Sequence, residues 1–513
     1  MPRAMETSTD ASLATAAALS PASKTPPPGF IGRFSVLKGA QRELWLVFII
    51  KFLVVTAYAL TNSTIKLWLS SDFGYSDKQA LGIVAAWSLA MTVFTLLVGS
   101  LTDAIGLRKT FFLGVWVCIV ARAVMVLANG RWLALACGLL PLALGEALGN
   151  PVLVASVRRY SNTRQRSISF SMFYTMMNVG FLVSSLLFDF LRTNLHEHGR
   201  FNLLGLSIST YRTLFLVSFV FEVALLPLLY FLRPGAEATD EGVLIVPART
   251  RAPGSSVWNA FLLTLRNSVT DTIRLFRNLI GQDGFYRLLG FLILISFLKL
   301  IFMQMYYVFP TFGIRELGEG APVGRLWAIN AILVIFLVPL VGALTQRFPA
   351  YAMVVLGGVI SAVSVFIMAL PLGWFQGLAD GFLGDLIAHK YLGIHGPVHP
   401  YYVMIALFVV LLSVGEAFYS PRVYEYAAAI APKGQEASYG ALSYVPFLLA
   451  KLLIGTFSGF LLARYCPPIG PRNSGMMWLA VALTATVAPI GLVALRRFIR
   501  VPEAGRPAPV AAG

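Results

Sequence analysis

Runs of about 20 apolar residues, the length a helix needs to cross the hydrocarbon of a bilayer, recur twelve times along this 513-residue chain. They fall at 45–69, 81–100, 110–128, 133–157, 168–190 and 213–232, then at 288–309, 326–345, 352–372, 401–430, 439–462 and 476–495. Of all residues 57% are hydrophobic and 12% charged, roughly half the charge of a soluble protein. The pattern predicts an all-α membrane protein with twelve transmembrane helices in two pseudo-symmetric six-helix bundles. The bundles are expected at 45–232 and 288–500, joined by a cytoplasmic linker at 233–287. A tail rich in Ala, Ser, Thr and Pro at 1–44 is expected to be disordered, with a shorter tail at 501–513. The first tail has no apolar stretch of signal-peptide type, so no cleavage is expected.

The two halves share short repeats. Gly145-Glu146-Ala147 followed by Pro151 recurs as Gly415-Glu416-Ala417 followed by Pro421. Val98-Gly99-Ser100-Leu101-Thr102-Asp103 recurs as Val341-Gly342-Ala343-Leu344-Thr345-Gln346. The two offsets differ by about the length of one predicted external loop, at 373–400, so both repeats fit a single duplication. A duplicated bundle places a polar site between its halves.

Net charge is +17. Basic stretches interleaved with aromatics, as a nucleic-acid surface would need, are missing. The excess instead follows the positive-inside rule: with both termini in the cytoplasm, the inner loops hold more than twice the Lys and Arg of the outer ones. Such a chain belongs in a cytoplasmic or plasma membrane. Residues 257–280 form a basic amphipathic pattern that suits the inner leaflet surface. Cys118, Cys137 and Cys466 are far apart, and His196, His198, His389, His395 and His399 fall in predicted outer loops, so neither a disulfide framework nor a metal site is expected. There is no nucleotide loop or nucleophile–base set, so neither an enzyme nor a cofactor is expected.

The charges inside the spans carry the functional signal, because an ionisable group in hydrocarbon is costly and by default marks a site. Glu146, Lys299, Glu416 and Lys451 all fall near the middle of their predicted helices. Together they suit a midplane site for a zwitterionic or anionic solute, with a carboxylate as proton carrier. Lys51 lies where it can snorkel to the inner surface, and Lys66, Arg122 and Glu222 can be satisfied locally. Glu425 sits on the helix face opposite Glu416 unless Pro421 bends the helix between them. Arg422 stands three residues before Glu425 and can neutralise it. Asn178, Gln304, Tyr306, Tyr424 and Tyr444 either line the site or bond between helices.

The loop after the second span reads Gly99-x-x-x-Asp103-x-x-Gly106-x-Arg108-Lys109. It resembles the signature loop of the major facilitator superfamily. Gly99 permits close helix approach and Gly106 a tight turn. Asp103 can latch one conformation at a helix end, while Arg108 and Lys109 are expected in cytosolic water. In the second half Gln346 and Pro349 replace the acid and the glycine, so a single latch is expected.

Phe173-Tyr174-Thr175-Met176-Met177-Asn178-Val179-Gly180 resembles the fifth-helix signature of proton-coupled oligopeptide transporters. Ser420-Pro421-Arg422-Val423-Tyr424-Glu425 and Ile329-Asn330 are similar to that family's tenth and eighth helices. The resemblance implies that Glu425 faces a substrate amino terminus. The chain departs from that family in two places. Its first helix has Lys51 in place of an acid–acid–arginine cluster, and Asn150 stands at the position of a fourth-helix lysine.

The expected function is secondary active transport of a small polar solute by alternating access, coupled to protons, in a monomer embedded in lipid. The same pattern also suits an exporter of amphipathic or lipid-like molecules, or a non-transporting sensor that kept the fold.

Overall fold

The computed structural model describes residues 37–162, 165–203, 205–239, 242–245, isolated helical positions between 266 and 280, and 281–345, 348–430 and 445–500. Most of both expected tails, most of the amphipathic stretch at 257–280, Gln346 and Tyr444 lie outside those residues.

Helices stand at all twelve predicted places. The first half holds α1 (Arg42–Phe73), α2 (Asp77–Ile105), α3 (Leu107–Leu127), α4 (Arg131–Tyr160), α5 (Arg166–Leu195) and α6 (Thr210–Phe231). The second holds α7 (Asp283–Tyr307), α8 (Val323–Leu344), α9 (Ala350–Phe366), α10 (Pro400–Ile430), α11 (445–465) and α12 (Ser474–Ala494). Ten of these are long and apolar enough to cross a membrane among the described residues; α2 and α11 take the other two places. Within α11 a wider π turn at Ile454–Ser458 separates Val445–Leu453 from Gly459–Tyr465.

Packing repeats from half to half. In the first half α3 lies on α4, α2 on α4, α1 on α5 and α6, and α3 on α6. In the second, α9 lies on α10, α8 on α10, α7 on α11 and α12, and α9 on α12. Each pair maps onto its partner by a shift of six helices. The contacts between halves obey the same rule: α5 meets α8, and α11 meets α2.

The repeated glycine explains part of this. A Cβ on Gly145 would collide with the Cys118 thiol and lie 2.9 Å from the Gly114 carbonyl oxygen, both on α3. A Cβ on Gly415 would collide with the Ser361 hydroxyl and lie 2.8 Å from the Gly357 carbonyl oxygen, both on α9. Only a residue without a side chain lets the backbones come this close, which is how small residues drive helix association in lipid.

Three local features differ from expectation. The predicted outer loop at 373–400 is largely helical, with Gly373–Ala379 and a π-helical Asp385–Tyr391. Two antiparallel hairpins add to the helices: β1 (Arg200–Leu203) with β2 (Leu206–Ser209), and β3 (Ala236–Thr239) with β4 (Gly242–Ile245). Arg108 is half-buried rather than wholly in water. Its Nε and Nη2 donate to the Leu229 and Tyr230 carbonyls, 3.2 and 2.8 Å away, and cap the end of α6. Carbonyls at a helix C-terminus have no partner within the helix, and a guanidinium satisfies them. Gly106, at φ 88°, makes the turn that starts α3.

Candidate functional site

The face opposite the chain termini is closed by polar contacts between the halves. Asp189, near the end of α5, accepts from the backbone N–H groups of Gly324 and Arg325 at 2.8 and 2.6 Å. These are free donors at the start of α8, where the helix dipole favours an anion. Arg192 of α5 supports this contact through Asp189, Glu197 and the Ala321 carbonyl. Nearby, Arg315 donates to Asp77 at 2.8 Å, and Lys66 reaches the same carboxylate at 2.7 Å. Lys66 is thus satisfied by its neighbour in the fold.

Beneath this closure lies a cavity of about 40 Å³ between the halves. Tyr174, Met177, Asn178, Phe181 and Ser185 of α5 form one wall. Phe302 and Tyr306 of α7, Trp327, Asn330 and Ala331 of α8, and Glu416 of α10 form the other. That volume holds about one water molecule. Glu416 accepts from the Asn330 amide at 3.0 Å, and the same amide reaches Ser413 at 3.0 Å. The Tyr174 hydroxyl reaches Glu416 from the opposite half. Lys299 lies within electrostatic range of Glu416. It stands 3.3 Å from the Ser420 hydroxyl and over the faces of Tyr419 and Phe302. Such cation–π contacts stabilise an ammonium group away from water.

The first half holds a second charged group. Arg122 of α3 donates to Glu146 of α4 at 2.6 Å and faces Glu222 of α6 at 3.1 Å. Its Nε points to the Thr61 hydroxyl of α1, 3.4 Å away. All three charged side chains are buried. Lys451 of α11 approaches from the other half. It donates to the Tyr58 hydroxyl at 3.1 Å, covers the Trp87 ring, and acts electrostatically on Glu146. The four midplane charges of the sequence therefore divide into two groups rather than one chamber. Glu416 lines the cavity with Lys299 beside it, whereas Glu146 is held by Arg122.

The remaining candidates are placed as follows. Asn178 lines the cavity, and its amide donates back to the Tyr174 carbonyl at 2.9 Å. Tyr306 also lines it, beside Trp327. Gln304 bonds Ser458 of α11 at 2.6 Å, a contact within the second half. Lys51 does not snorkel; it is buried with its ammonium over the Phe173 ring. Lys109 is exposed. Helix α10 continues through Pro421. Gly99 stands in α2, and the side chains of Asp103, Asn150, Tyr424 and Glu425 lie outside the described residues.

Sequence reasoning passed over Tyr58, Thr61, Trp87, Asp189 and Arg315. Asp189 lies near a predicted helix end and carries a readable signal, since anions belong at helix N-termini, but its partner helix is in the other half. Tyr174 and Asn330 stood inside the quoted family motifs, which was the one available pointer to them.

Comparison with known proteins agrees with this architecture. The profile described as the Major Facilitator Superfamily matches residues 47–388. No curated protein matches the sequence. The fold is similar to a crystal structure of a POT family transporter in complex with 5-aminolevulinic acid, with TM-score 0.65 and 16% identity over 93% of this chain and 99% of that one. An auto-inhibited POT family peptide transporter gives TM-score 0.62 and 18% identity over 91% and 99%. A bacterial homologue of the human drug peptide transporters PepT1 and PepT2 gives 0.60 and 16% over 89% and 99%. At these identities the likeness is one of fold.

Proposed function

The chain belongs to the Major Facilitator Superfamily, a family of secondary transporters rather than enzymes, and from that premise we propose that it moves a small zwitterionic or anionic solute by alternating access, driven by protons. One observation carries this reading: a buried carboxylate, Glu416, lies on the wall of a cavity between the halves with Lys299 beside it. An acid on the cavity wall and an ammonium group behind it in the same half carry the two charges that the ends of a zwitterion need. A small cavity is what an occluded or empty state has. Opening requires the halves to rock apart, and the polar contacts at Asp189 and Arg315 are discrete links that either form or break. Protonation of Glu416 would remove its hold on Lys299 and free that lysine for a solute carboxylate. The termini lie in the cytoplasm by the distribution of Lys and Arg, which puts the Asp189 closure on the outer side. The membrane is the cytoplasmic or plasma membrane.

A second reading has its own support. Most of the cavity wall is aromatic or apolar, with one acid, and Glu146 is paired off with Arg122. That combination suits export of an amphipathic cation.

Both are tested by reconstituting the protein in liposomes that contain a pH-sensitive dye. A panel of dipeptides, amino acids, sugars and amphipathic drugs is supplied. Accumulation of a polar solute with proton movement, reduced about tenfold or more in Glu416→Gln, supports the first reading. Movement of amphipathic cations alone selects the second, and movement of nothing in the panel rejects both.

A further inference from the structure

The Arg122 cluster is unbalanced in charge. Arg122 contributes one positive charge and Glu146 and Glu222 contribute two negative ones, all buried within the first half. A net negative group inside hydrocarbon needs a counter-charge or a proton. The second half supplies the counter-charge. Lys451 of α11 reaches across the interface to Tyr58 and Trp87 and acts on Glu146. Tyr58 and Thr61 lie one turn apart on α1, so Lys451 and Arg122 meet the same helix face.

We propose that Lys451 is a removable counter-charge, and that the Glu146–Glu222 carboxylate pair takes up one proton whenever α11 moves away from α1 and α2. The inference rests on the transporter reading, because it uses the relative movement of the halves. It goes further in adding a second proton site, apart from the Glu416 cavity, and in making Glu222 its acceptor. Glu146 is held by a 2.6 Å hydrogen bond from Arg122. Glu222 faces Nη1 of Arg122 at 3.1 Å, but that nitrogen makes no hydrogen bond. Glu222 takes a hydrogen bond from the Cys118 thiol, a weak donor, so it is the less firmly held acid and the one that takes the proton. The other titratable groups facing the pair are Cys118 of α3, beside Glu222, with Tyr58 of α1 and Tyr307 of α7.

A hydronium ion on the open side breaks one of its O–H bonds and gives that proton to a Glu222 oxygen, forming one new O–H bond and leaving water. When Lys451 returns, that bond breaks and the proton leaves to water on the side then open. Charge in the interface is conserved at each stage: lysine out and proton in, or lysine in and proton out. Among the described residues the second half has no such imbalance at the matching place. The residue equivalent to Arg122 is Val365, and the charges near Glu416 come from its own half.

The experiment uses the full chain in liposomes with two readouts. Infrared difference spectra between alkaline and acid pH need no solute. Wild type is expected to show a carboxylic-acid C=O band on acidification. Glu222→Gln should remove the part of it that comes from the Glu146–Glu222 pair and leave the part from Glu416, and Lys451→Met should move the pair's part to higher pH. The second readout is transport of dialanine and 5-aminolevulinic acid. The ratio of proton-driven accumulation to counterflow should fall about tenfold or more in both variants. A Glu222→Gln protein with the wild-type band or the wild-type ratio overturns the proposal. If wild type moves neither probe, the transport reading has failed for those solutes, and the spectra alone decide the proton site. Should Glu222→Gln fail to fold, the charge-balanced pair Glu222→Gln with Lys451→Met is measured in the same way, and a band of wild-type intensity overturns the proposal.

Discussion

Arg122 of α3 and Val365 of α9 occupy the same place in the two halves, each one turn beyond the side chain that meets the repeated glycine. Cys118 meets Gly145 and Arg122 follows; Ser361 meets Gly415 and Val365 follows. The glutamate after each glycine therefore enters a similar pocket with different walls. Glu146 finds a guanidinium, while Glu416 finds the Asn330 amide and lies open to the cavity between the halves. The duplication kept the backbone contact, and the exchange of one side chain separated the roles of the two acids.

Removing the guanidinium should be severe. Arg122→Met leaves two buried carboxylates without their partner, at a cost of about 3–5 kcal/mol. Thermal unfolding in detergent should show a large fall in melting temperature, and Arg122→Met combined with Glu146→Leu and Glu222→Leu should recover much of it.

The glycine contacts predict a graded effect. Gly415→Ala places a Cβ against Ser361 and 2.8 Å from the Gly357 carbonyl oxygen, forcing α9 and α10 apart at a cost of about 1–3 kcal/mol. Adding Ser361→Gly relieves the side-chain collision and leaves the backbone one. Recovery of the melting temperature should therefore be partial.

Asp189→Ala removes a carboxylate that takes two backbone hydrogen bonds from α8 across the interface. Hydrogen bonds to a charged group contribute about 1.5–3 kcal/mol each. Loss of either contribution shifts a two-state balance tenfold or more, by about 1.4 kcal/mol per factor of ten. Spin labels placed on α5 and α8 near this face should show a longer distance population. An unchanged distribution would remove Asp189 from the closure.

Neighbouring basic residues in the α2–α3 turn should behave differently. Arg108→Ala uncaps α6 and should cost about 0.5–1.5 kcal/mol. Lys109→Ala touches solvent only and should stay within about 0.5 kcal/mol. Equal effects on the melting temperature would contradict the capping role.

The sequence by itself determined the class of fold, the number of spans and the duplication. A helix must satisfy its own backbone in lipid, so length and hydropathy alone mark where each one stands. The same cost rule singled out Glu146, Lys299, Glu416 and Lys451, because hydrocarbon penalises every unpaired charge. What the sequence left open was which charge meets which. Arg122 and Glu222 are far apart along the chain, as are Tyr58 and Lys451, and nothing local distinguishes a partner from a bystander. Only the packing of six helices, and then of the two halves, brought Arg122 to Glu146 and left Glu416 beside a cavity. Pairing at a distance depends on helix rotation and close approach, which are set jointly by many small contacts such as those at Gly145 and Gly415.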